Sequence, residues 1–190
     1  MAITNPASTW TYEDLFSLPD DGKRYEIIEG ELYEMPSPSL NHAITMRNLV
    51  FLLGRVVESL GGTIFFAPLD VFFPGADPVQ PDILVLLPGW QGGLRQRGPE
   101  GAPDLVIEVP SPSNRGHDQL TKRALYARAG VQEYWIVDPA ARTVDVLVLD
   151  RDAFHTVHVA AGEDVITSPL LDGAAFPLTG VFANLEVEES

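Results

Sequence analysis

The sequence predicts an α/β protein: a mixed sheet flanked by helices, in one domain spanning residues 1–190. Three observations predict it. Short apolar runs outnumber stretches with helical spacing. The two long helical stretches fall between strands rather than in a block. A strand–helix–strand unit runs from Asp104 to Val137. The length allows a substantial core without disulfides, and 45 % hydrophobic with 21 % charged residues is an ordinary globular composition.

The elements follow in order. Thr9 or Thr11 can cap a short helix over Tyr12 to Leu18, which stops at Pro19-Asp20-Asp21-Gly22. Arg24 to Ile28 and Glu31 to Met35 flank Glu29-Gly30, a two-residue turn whose glycine accepts the positive φ that tight hairpins need. In the first of these strands Glu26 shares a face with Ile28, opposite Tyr25 and Ile27. After Pro36 and Pro38, Ser39 or Asn41 can cap a long helix. Its apolar positions Ile44, Met46, Leu49, Val50, Leu53, Val56, Val57 and Leu60 recur every three or four residues, and Gly61-Gly62 ends it.

Thr63 to Phe66 and Asp70 to Phe73 read as strands, followed by the run Asp82 to Leu87. Pro88 to Pro103 is a Gly-, Pro- and Arg-containing loop that delays the return to the sheet at Asp104 to Val109. Proline at 110 stops pairing there, and a helix runs from about His117 to Ala129, closed by Gly130. Val131 to Val137 is the next strand, with Tyr134 and Trp135 expected in the core; Val144 to Leu149 and Phe154 to Val159 follow as a meander. Val165 to Leu185 reads as short strands and turns that cover an edge.

The absence of cysteine excludes a disulfide framework and thiolate metal sites. No run has the length of a membrane span, and the N-terminal residues lack the basic and apolar regions of a signal peptide, so a cytoplasmic location is expected. A net charge of -15 opposes contact with a polyanion, because nucleic-acid affinity draws on Lys and Arg. The charge is uneven, however. Between Gln91 and Gly130 the bases Arg95, Arg97, Arg115, Lys122, Arg123 and Arg128 outnumber the acids Glu100, Asp104, Glu108 and Asp118. Salt screens charge beyond about 8 Å, so a locally basic region can act despite a distant acidic tail.

Two strands carry a carboxylate that the hydrophobic pattern does not need: Pro81-Asp82 opens the run Ile83 to Leu87, and Glu108 sits near the end of Leu105 to Val109. An ionised carboxylate in an apolar strand is costly unless paired or bound to metal. Magnesium takes oxygen ligands and keeps several waters, so Asp82 and Glu108 on neighbouring strands suffice to hold Mg²⁺ or Mn²⁺ beside a phosphate. Lys122 on the following helix can orient the attacking water or bear part of the developing charge.

Pro81-Asp82 followed by Glu108-Val109 resembles the PD-(D/E)XK nuclease pattern, with one departure: Pro110 stands where a lysine usually follows the second acid. In some members of that superfamily the lysine comes from the next helix, and Lys122 fits this migration. The likeness is closer at several segments. Tyr25 to Leu32, Gln80 to Ile83, Ala102 to Ser113, Asp118 to Lys122, Tyr126 and Ala129 to Pro139 resemble the Uma-two family of restriction endonucleases, in the family's order and over roughly Tyr12 to Leu149. The resemblance implies a restriction-endonuclease-like fold, Asp82 and Glu108 as metal ligands, Lys122 as the catalytic lysine and Glu26 as an accessory acid.

Each assignment has a structural competitor. Asp82 could cap the turn before its strand, Lys122 could form a surface pair with Asp118 four residues earlier, and Glu26 could face solvent. Arg115, Arg123, His42 and His117 are candidate phosphate contacts. His155 and His158 are three apart on a predicted strand and should point to opposite faces.

The leading function is a metal-dependent endonuclease acting on nucleic acid, DNA being the expected substrate. The alternative is a non-catalytic nuclease-fold module acting in protein assembly or regulation, which suits the acidic surface; a hydrolase of a small phosphorylated substrate is a third reading. The meander edge after Val144 and the short apolar C-terminal segments favour a homodimer.

Overall fold

The structure is a computed structural model that describes residues 2–3, 9–28, 30–35, 37–110 and 117–185. The chain runs β1 (Ala2–Ile3), a 3-10 helix (Tyr12–Ser17), β2 (Arg24–Ile28), β3 (Glu31–Met35), α1 (Leu40–Ser59), β4 (Thr63–Phe66), β5 (Ile83–Leu86), β6 (Gly93–Arg95), β7 (Gly98–Glu100), β8 (Leu105–Glu108) and α2 (His117–Ala129). It continues through β9 (Glu133–Asp138), β10 (Thr143–Asp150), β11 (Ala153–Ala161), β12 (Val165–Ser168), β13 (Ala174–Pro177) and α3 (Leu178–Val181). Among the described residues no helix is long and apolar enough to cross a membrane.

Six strands form the central sheet in the order β11-β10-β9-β8-β5-β4, antiparallel except where β8 lies parallel to β9. A parallel pair requires a crossover, and α2 supplies it. Side chains alternate across the pleat, so each strand feeds two layers. Ile83, Val85, Leu105, Ile107, Trp135 and Val146 pack on the face covered by Leu49, Leu53 and Val57 of α1. Leu84, Leu86, Val106, Tyr134 and Leu147 occupy the other face with Leu125 and Tyr126 of α2. Tyr134 and Trp135 are thus fully buried on opposite sides of one strand. The Ser39 side chain caps α1 by accepting from the His42 N–H at 3.1 Å.

The hairpin of β2 and β3 joins β1 in a separate three-stranded sheet, order β1-β3-β2. Gly30 in its turn has φ 78°, the left-handed region that favours glycine, and a Cβ there would also have to displace the Thr9 side chain.

Four expectations change. Asp70 to Phe73 does not become a strand; its backbone makes only isolated bridges, Val71 with Val79 and Phe72 with Glu100. The loop from Pro88 to Pro103 contains the β6–β7 hairpin. Val165 to Leu185 covers a sheet face rather than an edge, because Ile166, Phe176, Leu178 and Val181 pack into the α1-side core. Buried Glu133 anchors that cover: its carboxylate accepts from Trp135 Nε1 (2.7 Å), the Ser168 hydroxyl (2.7 Å) and the Leu170 N–H (3.0 Å). Finally, the β10–β11 register shifts between Val146 and Leu147, which leaves Val157 outside the alternation. His158 then opposes Val146 and His155 opposes Val148, so the two histidines share a face.

Candidate active site

The β5–β8 register pairs Ile83 with Ile107, which sets Asp82 opposite Glu108 one step further along both strands. Alternation puts both carboxylates on the α2 side, in line with Leu84 and Val106. Each run therefore ends by presenting an acid on the face the helix covers.

Asp82 is fixed from two directions. Its Oδ2 accepts from the Val109 N–H at 2.7 Å, and its Oδ1 lies 3.4 Å from His42 Nε2. His42 Nδ1 lies 2.9 Å from the Val109 carbonyl oxygen; a carbonyl only accepts, so Nδ1 carries the proton. His42 is therefore placed against a candidate metal ligand and the end of β8.

Lys122 reaches the same place from α2. Its Nζ lies 3.5 Å from Glu108 Oε1 and 3.3 Å from Glu26 Oε2, and all three side chains are buried. The helical stripe also brings Tyr126, four residues on, whose hydroxyl donates to Glu108 Oε1 at 2.6 Å. Glu26 arrives from the β2–β3 hairpin, where its Oε1 accepts from the Gln80 N–H at 2.9 Å. Gln80 in turn donates through Nε2 to Asp70 Oδ1 at 2.8 Å. The structure thus brings Glu26, Asp82, Glu108 and Lys122 together, with His42 at the flank.

Arg123 points elsewhere: its guanidinium donates to the Phe154 carbonyl at 2.6 Å and ties α2 to β11. Arg115 and the side chain of His117 lie outside the described residues. Tyr126 and Gln80 are the site residues that sequence reasoning gave no role. Tyr126 had a signal in its spacing from Lys122; Gln80 acts through a backbone N–H, which any residue carries.

The electrostatics follow from burial. Glu108 is pushed up to about 8, first by desolvation and further by the charges of Asp82 and Glu26, against the pull of Lys122 and the Tyr126 hydrogen bond. Burial beside Glu108 also raises Tyr126 well above the usual phenol range. Glu26 and Glu108 share the one ammonium of Lys122, and the Asp82 carboxylate stands opposite Glu108. That excess of negative charge is what a divalent cation would neutralise, and two facing carboxylates are a donor set that magnesium or manganese accepts. Among the described residues no group of three or more His, Asp or Glu side chains forms a fuller metal cage.

A sheet with two facing acids, a buried lysine and a crossover helix defines a fold of the restriction-endonuclease-like class. The chain belongs to the Uma2 family, described as "Putative restriction endonuclease", whose model matches residues 12–179. Among solved structures it is similar to "a putative nuclease belonging to DUF820" from Anabaena variabilis ATCC 29413. The TM-score is 0.70 at 24 % identity, over 91 % of this chain and 97 % of that one. At that identity the likeness establishes the fold. No curated protein matches the chain.

Proposed function

We propose that the protein is a divalent-metal-dependent endonuclease that hydrolyses phosphodiester bonds of nucleic acid, with DNA as the substrate to test first. The observation that supports this is the facing pair Asp82 and Glu108 with the Lys122 ammonium 3.5 Å from Glu108. Asp82 and Glu108 would hold Mg²⁺ or Mn²⁺, and a cation bound there supplies Lewis acidity at the phosphate. Lys122 orients the attacking water and offsets charge that develops on the phosphoryl oxygens. Glu26 shares the lysine's charge, and Tyr126 holds Glu108 in place through its hydroxyl. His42 and the Val109 N–H fix the Asp82 carboxylate.

The test is cleavage of single- and double-stranded DNA with and without Mn²⁺, comparing wild type with Asp82→Ala. Activity that needs Mn²⁺ and disappears in the variant is expected; equal activity in the two proteins sinks the assignment. The net charge of -15 favours a second reading, a non-catalytic module in protein assembly or regulation. Calorimetric titration with Mn²⁺ separates them, since such a module has no need of metal uptake that depends on Asp82 and Glu108.

A further inference from the structure

Outside the carboxylate centre, a row of aromatic and guanidinium groups lies at the surface. Tyr12 in the 3-10 helix meets Phe16 edge to face with ring centroids 5.3 Å apart, and meets Phe72 in the same way at 5.7 Å. From the β6–β7 hairpin, the Arg97 guanidinium carbon lies 4.4 Å over the Phe16 ring and that of Arg95 lies 4.9 Å over Phe72. The order is Arg97, Phe16, Tyr12, Phe72, Arg95. Phe16 is 56 % exposed, and the two arginine side chains are about half exposed. A cavity of about 500 Å³ opens beside the row, bounded by Tyr12, Phe72, Pro74, Pro78, Arg95 and Glu100.

The hairpin is held against this site by a close approach. Gly98 has φ 153°, and a Cβ there would meet the Asp70 carbonyl oxygen at 1.8 Å, so only glycine lets the backbone lie so near. The row is also joined to the catalytic cluster by hydrogen bonds. Arg97 donates to the Tyr12 hydroxyl at 3.0 Å, Tyr12 donates to Asp70, Gln80 donates to Asp70, and the Gln80 N–H donates to Glu26. Gln80 precedes Asp82 by two residues, so this chain of hydrogen bonds ties the row to the segment that carries the carboxylate.

Rings and guanidinium groups at a surface offer π-faces and flat cations on which bases stack. A duplex hides its base faces and binds through free Lys and Arg on its phosphates. Here Arg95 already makes two hydrogen bonds to Glu100, and Glu13 and Asp77 add negative charge around the cavity. That field opposes a phosphate-dense surface, whereas the carboxylates can accept from base amino groups. Unpaired bases, by contrast, gain about 1–3 kcal/mol each by stacking on aromatic side chains, with little dependence on sequence.

We propose that the Arg97–Phe16–Tyr12–Phe72–Arg95 row is a stacking platform for unpaired nucleotides, so that the substrate strand is single or carries an unpaired segment. This rests on the nuclease reading and adds the substrate class to it. The experiment is fluorescence anisotropy in EDTA, where no cleavage occurs, with a labelled oligothymidylate and with the same strand in a blunt duplex. Wild type should bind the single strand about tenfold more tightly than the duplex, and Phe72→Ala should lose about tenfold for the single strand alone. Phe16→Ala, which removes an exposed ring without disturbing the core, should lose single-strand affinity in the same direction. Equal or tighter duplex binding, no binding of either DNA, or variants that bind like wild type overturn the platform. Mn²⁺-dependent cleavage of the same two substrates keeps the two readings apart. Cleavage without single-strand preference removes the platform and leaves the nuclease; platform-dependent binding without any cleavage removes the nuclease and leaves the platform.

Discussion

Replacing Glu108 with glutamine should make the metal-free protein more stable at alkaline pH. Glu108 is buried and titrates at about 8 in the folded chain, against 4.5 for an ordinary glutamate. Because the folded pKa is raised, its contribution to stability is fully present below pH 4.5 and is lost as pH rises to about 8, where the folded state must ionise a desolvated group. Each pH unit in that window is worth about 1.4 kcal/mol, which bounds the loss at about 5 kcal/mol. Glutamine keeps the acceptor for Tyr126 but gives Lys122 a weaker partner, so about 2 kcal/mol of net gain is expected at high pH. The assay is urea unfolding in EDTA at about pH 5.5 and about pH 8.5, with the Glu108→Gln advantage growing between them. Addition of Mn²⁺ at the higher pH should reverse the order by stabilising wild type alone. An advantage that is independent of pH, or a variant weaker at the higher pH, refutes the placement of a costly ionised carboxylate at this position.

Lys122→Met leaves Glu26 and Glu108 buried without their shared cation, and should lower unfolding free energy by about 3–5 kcal/mol, read from the urea midpoint. Burial raises Glu133 while three donors hold it down; Ser168→Ala removes one of them and should cost about 1–3 kcal/mol, with faster amide exchange at Leu170. Leu53→Ala, at a fully buried position on α1, should cost about 3 kcal/mol by calorimetry without altering Mn²⁺ affinity.

Much of this architecture could be read from the chain because its signals were local. The acid at each end of Ile83–Leu86 and Leu105–Glu108 broke an apolar pattern, and both acids lie on one face. Glu26 was legible by alternation along its hairpin strand, although its burial depends on packing by other segments. The failures came where long-range geometry overrides local pattern. The apolar stretch at Asp70 to Phe73 finds no extended partner and stays a pair of bridges. One extra residue at Val157 reverses the alternation that would have separated His155 from His158. The C-terminal cover follows from Glu133, a buried acid whose three donors come from Trp135, Ser168 and Leu170, one of them a main-chain N–H.

The parallel pairing of β8 with β9 has a consequence for the life of the newly made chain. Antiparallel neighbours can zip up from a turn, but β9 must wait until the thirteen-residue α2 has crossed the sheet. Lys122 travels on that crossover and Glu26 on a hairpin that belongs to another sheet. Asp82 and Glu108 can meet earlier, through adjacent antiparallel strands, yet they then face each other with no ammonium between them. Glu26, Lys122 and the facing pair Asp82 and Glu108 therefore come together only where the hairpin, the crossover helix and the central sheet have all docked, so the cluster reports on the whole tertiary structure rather than on any one element.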